Sequence, residues 1–225
     1  MLLFLSSRRR TWAEARIGVL GGIVLTTLVL VAILIHDDRF HLHSDSAVTF
    51  AGTWAFVGTY FVLPPLLLLA AVLQTRAAGR DPARTSPLPR WFRLLLAFEA
   101  VAMLGVGGAL VLVPEQADVL WPWMLTALTG RAVGAFVFSS GLAAALAVWE
   151  NDWRRIDAAV TSYGVLGFLE LVALLRYPRE PDWGSPSAWV YLVFLLTMPA
   201  IGAYGWYRAR QGDAATRPAP AAARP

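Results

Sequence analysis

The 225-residue sequence contains no cysteine, which excludes disulfides, thiolate metal centres, iron–sulfur clusters and covalently attached haem as internal features. The redox compartment is therefore unreadable. Lysine is absent too: all 19 basic residues are arginine, read as coding bias with a secondary benefit in contact with lipid phosphate. Only three histidines occur, and none lies in an apolar run, so haem held between helices would lack its ligands. For the same reason Ser139 and Ser140 have no base at their depth, and a serine-hydrolase site is excluded. The apolar runs hold no aspartate pair for a carboxylate dyad, and no glycine-rich loop cradles a phosphate.

Charge of either sign is scarce, at 15%, whereas 57% of residues are hydrophobic and the mean hydropathy is positive. Stretches of about 20 residues are apolar all round, which suits lipid rather than water as solvent. Apolar runs predict spans near 17–35, 52–73, 94–114, 124–148, 157–175 and 187–207. The expected fold is an all-α integral membrane protein with six transmembrane helices arranged as three hairpins. Residues 1–16 form a cytoplasmic N-terminal segment, 17–211 the six-helix domain and 212–225 a Pro- and Ala-rich disordered tail. Met1–Leu5 precede Arg8, Arg9 and Arg10, an order opposite to that of a signal peptide, so the N-terminus is expected to be retained. Thr11 and Glu14 make a capping-box pattern that would start the first helix in the cytoplasm.

Two features orient the chain with both termini inside. Arginines 8, 9, 10 and 16, then 76, 80, 84, 90 and 93, then 154 and 155, then 208, 210, 217 and 224 fall on one side. Only Arg39, Arg176 and Arg179 fall on the other. Tryptophans 12, 91, 149, 153 and 206 mark inner boundaries, and 54, 121, 123, 183 and 189 mark outer ones. The high pI reflects these clusters, and no nucleic-acid partner is expected. A matched spacing, Trp54 to Pro64 and Trp189 to Pro199, hints at internal duplication, and Pro64 with Pro65 should kink or open the second span.

Charges inside spans are the strongest functional pointers, because each costs on the order of 2.5–3.5 kcal/mol at the bilayer centre. Three qualify: Glu99, Arg131 and Glu170. Counted by helical rise, Arg131 and Glu170 lie at similar depth, where they could pair, with Glu99 nearer the inner side. Arg131 shares a face with Gly134 and Ala135, and Glu170 with Gly167 and Tyr163. Arg131, Glu170, Glu99 and Tyr163 are thus the candidate intramembrane polar site, either a pathway for a small solute or ion or a structural ion pair with a solvated acid. Glycines 105, 107 and 108, and 130, 134 and 141, read as close-packing surfaces.

The first outer loop holds every histidine. His36, Asp38, His41, His43 and Asp45 supply ligand types and a His-x-His spacing that suit zinc or another divalent ion, against the plainer reading of a solvated loop. No other cofactor is expected. Besides the solute-handling reading, two alternatives stand. One is a non-catalytic accessory subunit that docks a larger membrane protein, or its own copies, through glycine-rich faces. The other is a metal-dependent enzyme acting at the outer surface.

The run Leu120-Trp121-Pro122-Trp123-Met124-Leu125-Thr126-Ala127-Leu128-Thr129-Gly130-Arg131, followed by Ala135 and by Trp149-Glu150-Asn151-Asp152-Trp153-Arg154, resembles uncharacterised multi-pass membrane proteins of bacteria. Asp38-Arg39-Phe40-His41 and Pro64-Pro65 look like parts of the same pattern. Gly130 stands where another small residue would be expected. The resemblance implies a six-span fold in a bacterial plasma membrane and no particular activity.

Overall fold

The computed structural model describes residues 1–3, 11–40, 42–77 and 81–215, with the backbone alone for 209–215. Among the described residues all regular structure is helical. Six helices are long and apolar enough to cross a membrane: α1 (Trp12–Ile35), α2 (Ala47–Arg76), α3 (Arg90–Leu112), α4 (Ala127–Glu150), α5 (Trp153–Arg176) and α6 (Pro186–Ala215). A short helical turn, Pro114–Ala117, and two 3-10 turns, Asp37–Arg39 and Asp118–Leu120, lie between them. Large apolar side chains such as Phe61, Leu69, Phe98, Val101 and Val193 stand on the outside, more than half or nearly half exposed. Only hydrocarbon accepts such a surface, so the chain has the architecture of a multi-pass membrane protein.

Local chemistry moves several of the sequence-derived boundaries. The fourth helix starts at Ala127 rather than 124, because the Thr126 hydroxyl caps it by accepting from the Thr129 amide at 3.2 Å. Ser46 caps α2 in the same way at 3.4 Å, and Asp152 caps α5 by accepting from the Arg154 amide at 3.0 Å. Thr11 does occupy the N-cap of α1, but its hydroxyl is buried without a partner, so the expected capping box is not formed there. Helix α6 stays helical to Ala215, past the boundary drawn at 211, and residues 216–225 of the expected tail lie outside the described residues.

Neighbouring helices touch through glycine. In the α3–α4 pair a Cβ on Gly134 would meet Leu110 at 2.8 Å, and one on Gly141 would meet the Leu104 amide at 2.8 Å. In the α5–α6 pair a Cβ on Gly164 would stand 2.7 Å from the Gly202 Cα, and Gly167 faces Met198 and Pro199. Such backbone-to-backbone approach supplies dispersion where lipid removes the hydrophobic drive between helices. Of the sequence-predicted packing glycines, Gly105 faces open space, so it takes no part in this contact. Helix α1 lies against α2, α4 and α5, while α2 packs chiefly on α1 and is the least buried of the six. Pro64 and Pro65 sit inside a continuous α2, and Pro199 inside α6.

At the arginine-rich end, Phe92, Trp153 and Tyr204 stack with centroids 4.8–5.7 Å apart over Ile17 and Ile156. Trp153 is 1% exposed and belongs to this core, unlike the half-exposed Trp91, Trp149 and Trp206 near the same boundary. Trp54 and Trp189 donate their indole N–H to carbonyls of the loops before their helices, Leu42 and Trp183, at 3.3 and 3.1 Å.

Candidate functional site

Polar side chains gather in three separate places. The first is in the interior of the bundle. Glu99 of α3 is 2% exposed, and its carboxylate accepts from the Tyr163 hydroxyl of α5 at 2.9 Å and the Thr197 hydroxyl of α6 at 3.0 Å. Among the described residues no cationic side chain bonds to it. Three helices therefore converge on one carboxyl group in a low-dielectric interior, where an uncompensated charge is costly.

Glu99 and Tyr163 border a cavity of about 270 Å³ between α1, α4 and α5. Its walls are otherwise small or apolar: Gly18, Gly21, Ala143 and Ala147 leave the room, and Leu3 closes one side against Gly22. Hydroxyls of Ser139, Ser140 and Ser162 also border it, but each donates to a carbonyl of its own helix at 2.7–2.9 Å. Glu99 and Tyr163 thus carry the cavity's distinctive chemistry. The cavity lies in the arginine-rich half of the bundle.

The second place is at the opposite ends of α5 and α6. Glu170 accepts from the Tyr191 hydroxyl at 3.3 Å and lines a second cavity of about 250 Å³ with Trp123, Tyr177 and Glu180. Along α5, residues 159–166 border the first cavity and 170–177 the second. Between them stands Gly167, closed against Met198 and Pro199 of α6.

Arg131 joins neither cavity. Its Nη1 lies 2.7 Å from His36 Nε2, and its Nε is buried without a partner. The Arg131–Glu170 pair that similar depth allowed is therefore not formed. Helix α4 turns Arg131 toward the end of α1, and α5 turns Glu170 toward α6. Of the four intramembrane candidates the structure unites Glu99 with Tyr163 alone and adds Thr197, which has no charge to betray it in a sequence. The metal set is also divided: His36 faces Arg131, His41 lies outside the described residues, and among the described residues no three acids and histidines cluster as metal ligands.

The third place, at the arginine-rich end, is a buried ionic knot. Glu150 is fully buried, and its two oxygens accept separately from Arg16 Nε and from Arg155 Nη1, the latter at 2.8 Å. Arg16 also reaches Asp81 at 2.9 Å, and Arg155 donates to the Pro82 carbonyl. Asp152, 2% exposed, accepts from the Thr85 and Ser86 amides at 2.7 and 2.9 Å while capping α5. Asn151 turns the chain at a left-handed φ of 46° and accepts from the Leu88 amide at 3.2 Å. These bonds pin the loop 81–89 to the α4–α5 turn. On sequence grounds Arg16 and Arg155 were only orienting charges, and nothing in residue spacing shows that they share one acid.

No family model matches this chain, and no curated protein or solved structure matches it either.

Proposed function

We propose that this multi-pass membrane protein handles a small, mostly apolar solute in its helix bundle, with Glu99 and Tyr163 as the groups that hold the solute's polar end. The observation that carries the reading is the buried Glu99–Tyr163–Thr197 cluster opening on a cavity of about 270 Å³. A purely structural acid would be surrounded by packed side chains; this one borders empty space walled by glycine and alanine. Small residues keep the space open, and the carboxyl and phenol give it one polar corner.

The second cavity, across the Gly167–Met198 contact, supports passage over storage. Two chambers on opposite sides of one tight helix crossing give a solute space on either side of a closed point. In this reading Glu99 takes up and releases a proton as solute leaves and enters, since among the described residues a charge there has no cation bonded to it. In this reading the membrane is the bacterial plasma membrane that the resemblance of the Leu120–Arg131 run implies, and the arginine-rich end faces the cytoplasm, as the distribution of arginine implies.

The test is uptake by proteoliposomes of a panel of labelled amines, carboxylic acids and alcohols small enough for the cavity. At least one should enter faster than into protein-free liposomes. Glu99→Gln and the cavity-filling Gly21→Leu should abolish that difference at equal incorporation, and Arg131→Gln should preserve it. If the whole panel enters at the protein-free rate, the reading fails. The accessory-subunit reading is favoured by α2, which packs chiefly on α1 and leaves large apolar side chains such as Phe61, Leu66 and Leu69 about half exposed. A second polypeptide retained in stoichiometric amount through mild-detergent purification would support it.

A further inference from the structure

We propose that the second cavity, at the ends of α5 and α6 away from the arginine-rich side, binds the quaternary ammonium group of a small organic cation. The inference concerns that cavity alone and stands whether or not a solute crosses the bundle. Its volume is about 250 Å³, and Trp123, Tyr177, Tyr191, Glu170 and Glu180 supply its chemistry. The three rings bring electron-rich faces and the two acids bring negative charge. Among the described residues neither acid is in an ion pair, and Glu170 receives one hydrogen bond, from Tyr191.

Chemistry narrows the occupant. Anions are repelled by two carboxylates, and a neutral apolar molecule gains nothing from them. A small inorganic cation would need several oxygen ligands converging within bonding distance, and no such metal-type group occurs among the described residues. A quaternary ammonium ion is weakly hydrated, sheds its water at low cost and is attracted both by carboxylates and by aromatic faces. The cavity offers both at once. The Arg176 guanidinium lies 5.4 Å over the Tyr177 ring, a contact between sequence neighbours that takes up one face of that ring.

The aromatic wall is held in place beforehand. Trp123 meets Tyr191 edge to face at 5.5 Å and 89°, and Trp121 braces both at 5.4 and 5.3 Å. The Trp121–Trp123 segment is clamped to the α5–α6 connection by the Asp182 amide donating to the Pro122 carbonyl at 2.7 Å and by the Ser187 hydroxyl donating to the Trp121 carbonyl at 3.2 Å. Rings fixed in this way need little ordering when a ligand arrives.

Two sources could deliver the group: a free cation, or the headgroup of a neighbouring lipid. The purified full chain is placed in phosphatidylglycerol nanodiscs, which carry no ammonium, and its tryptophan fluorescence is titrated with choline and with the neutral isostere 3,3-dimethylbutan-1-ol. Choline should give a saturable change that the isostere does not. Glu170→Gln and Trp123→Leu should each weaken it about tenfold, the factor that loss of one charge contact or one cation–π face implies. Glu180→Gln, on the exposed rim, serves if either variant fails to fold. The titration is repeated in phosphatidylcholine nanodiscs: loss of the response identifies the headgroup as occupant, and persistence identifies the free cation. No saturable response to choline in phosphatidylglycerol, an equal response to the isostere, or an unchanged affinity in Glu170→Gln overturns the proposal.

Discussion

Replacing Glu150 by glutamine removes one negative charge and changes almost nothing in volume, so it isolates the electrostatics of the buried knot. In the native protein each carboxylate oxygen serves one guanidinium, and Glu150 is completely buried while Arg155 is 7% exposed. The amide keeps one acceptor and turns its NH2 toward the other arginine, donor against donor. Arg16 retains Asp81, whose side chain is 38% exposed and so a weak partner. Among the described residues Arg155 retains only the Pro82 carbonyl. Leaving a buried charge without its counter-ion costs about 3–5 kcal/mol. For a chain of this length that corresponds to a fall of about 10 °C in the unfolding midpoint. Near-ultraviolet circular dichroism in maltoside follows it through Trp153, packed beside the knot. A triple variant, Arg16→Met with Glu150→Leu and Arg155→Met, should be less damaged than Glu150→Gln, because it leaves no buried charge unpaired. If Glu150→Gln unfolds within about 2 °C of the native protein, the knot carries no such stability and the reasoning fails.

Gly164→Ala places a methyl 2.7 Å from the Gly202 Cα, where the only relief is to part α5 from α6, so about 1–3 kcal/mol of stability should be lost. Gly52→Ala, with nothing within 4 Å, is the control for thermal unfolding, and equal midpoints for the two would contradict the crossing. Single cysteines at positions 38 and 84 in the otherwise cysteine-free chain should react with an impermeant maleimide from opposite sides of the membrane. Reaction of both from one side would refute the arrangement of arginine-rich loops.

The six spans were legible from residues alone, and so was the side on which most arginines lie. Hydrocarbon supplies no partner for a backbone amide, so each span must satisfy its own as a helix, and that demand is written in about 20 consecutive apolar residues. Helix ends were less legible: Met124 and Leu125 look like membrane residues, but Thr126 caps the helix after them. The glycines of α3 and α4 announced close packing by their number. Those of α5 and α6 became meaningful only when Gly164 and Gly202 were found face to face.

Which polar groups meet was decided by the tertiary structure. Depth can be counted along one helix at 1.5 Å per residue, and on depth alone Arg131 and Glu170 belong together. Pairing also needs the rotation of each helix about its axis and the order of helices around the bundle, and neither is a local property. Glu99 finds hydroxyls 64 and 98 residues away, Arg131 finds His36 across 95, and Arg16 shares Glu150 across 134. The sequence by itself determined that lipid is the solvent, because that is a sum over neighbours in the chain. The cavities at Glu99 and Glu170 exist only because α1, α4, α5 and α6 pack as they do, with small residues on one flank and aromatic rings on the other.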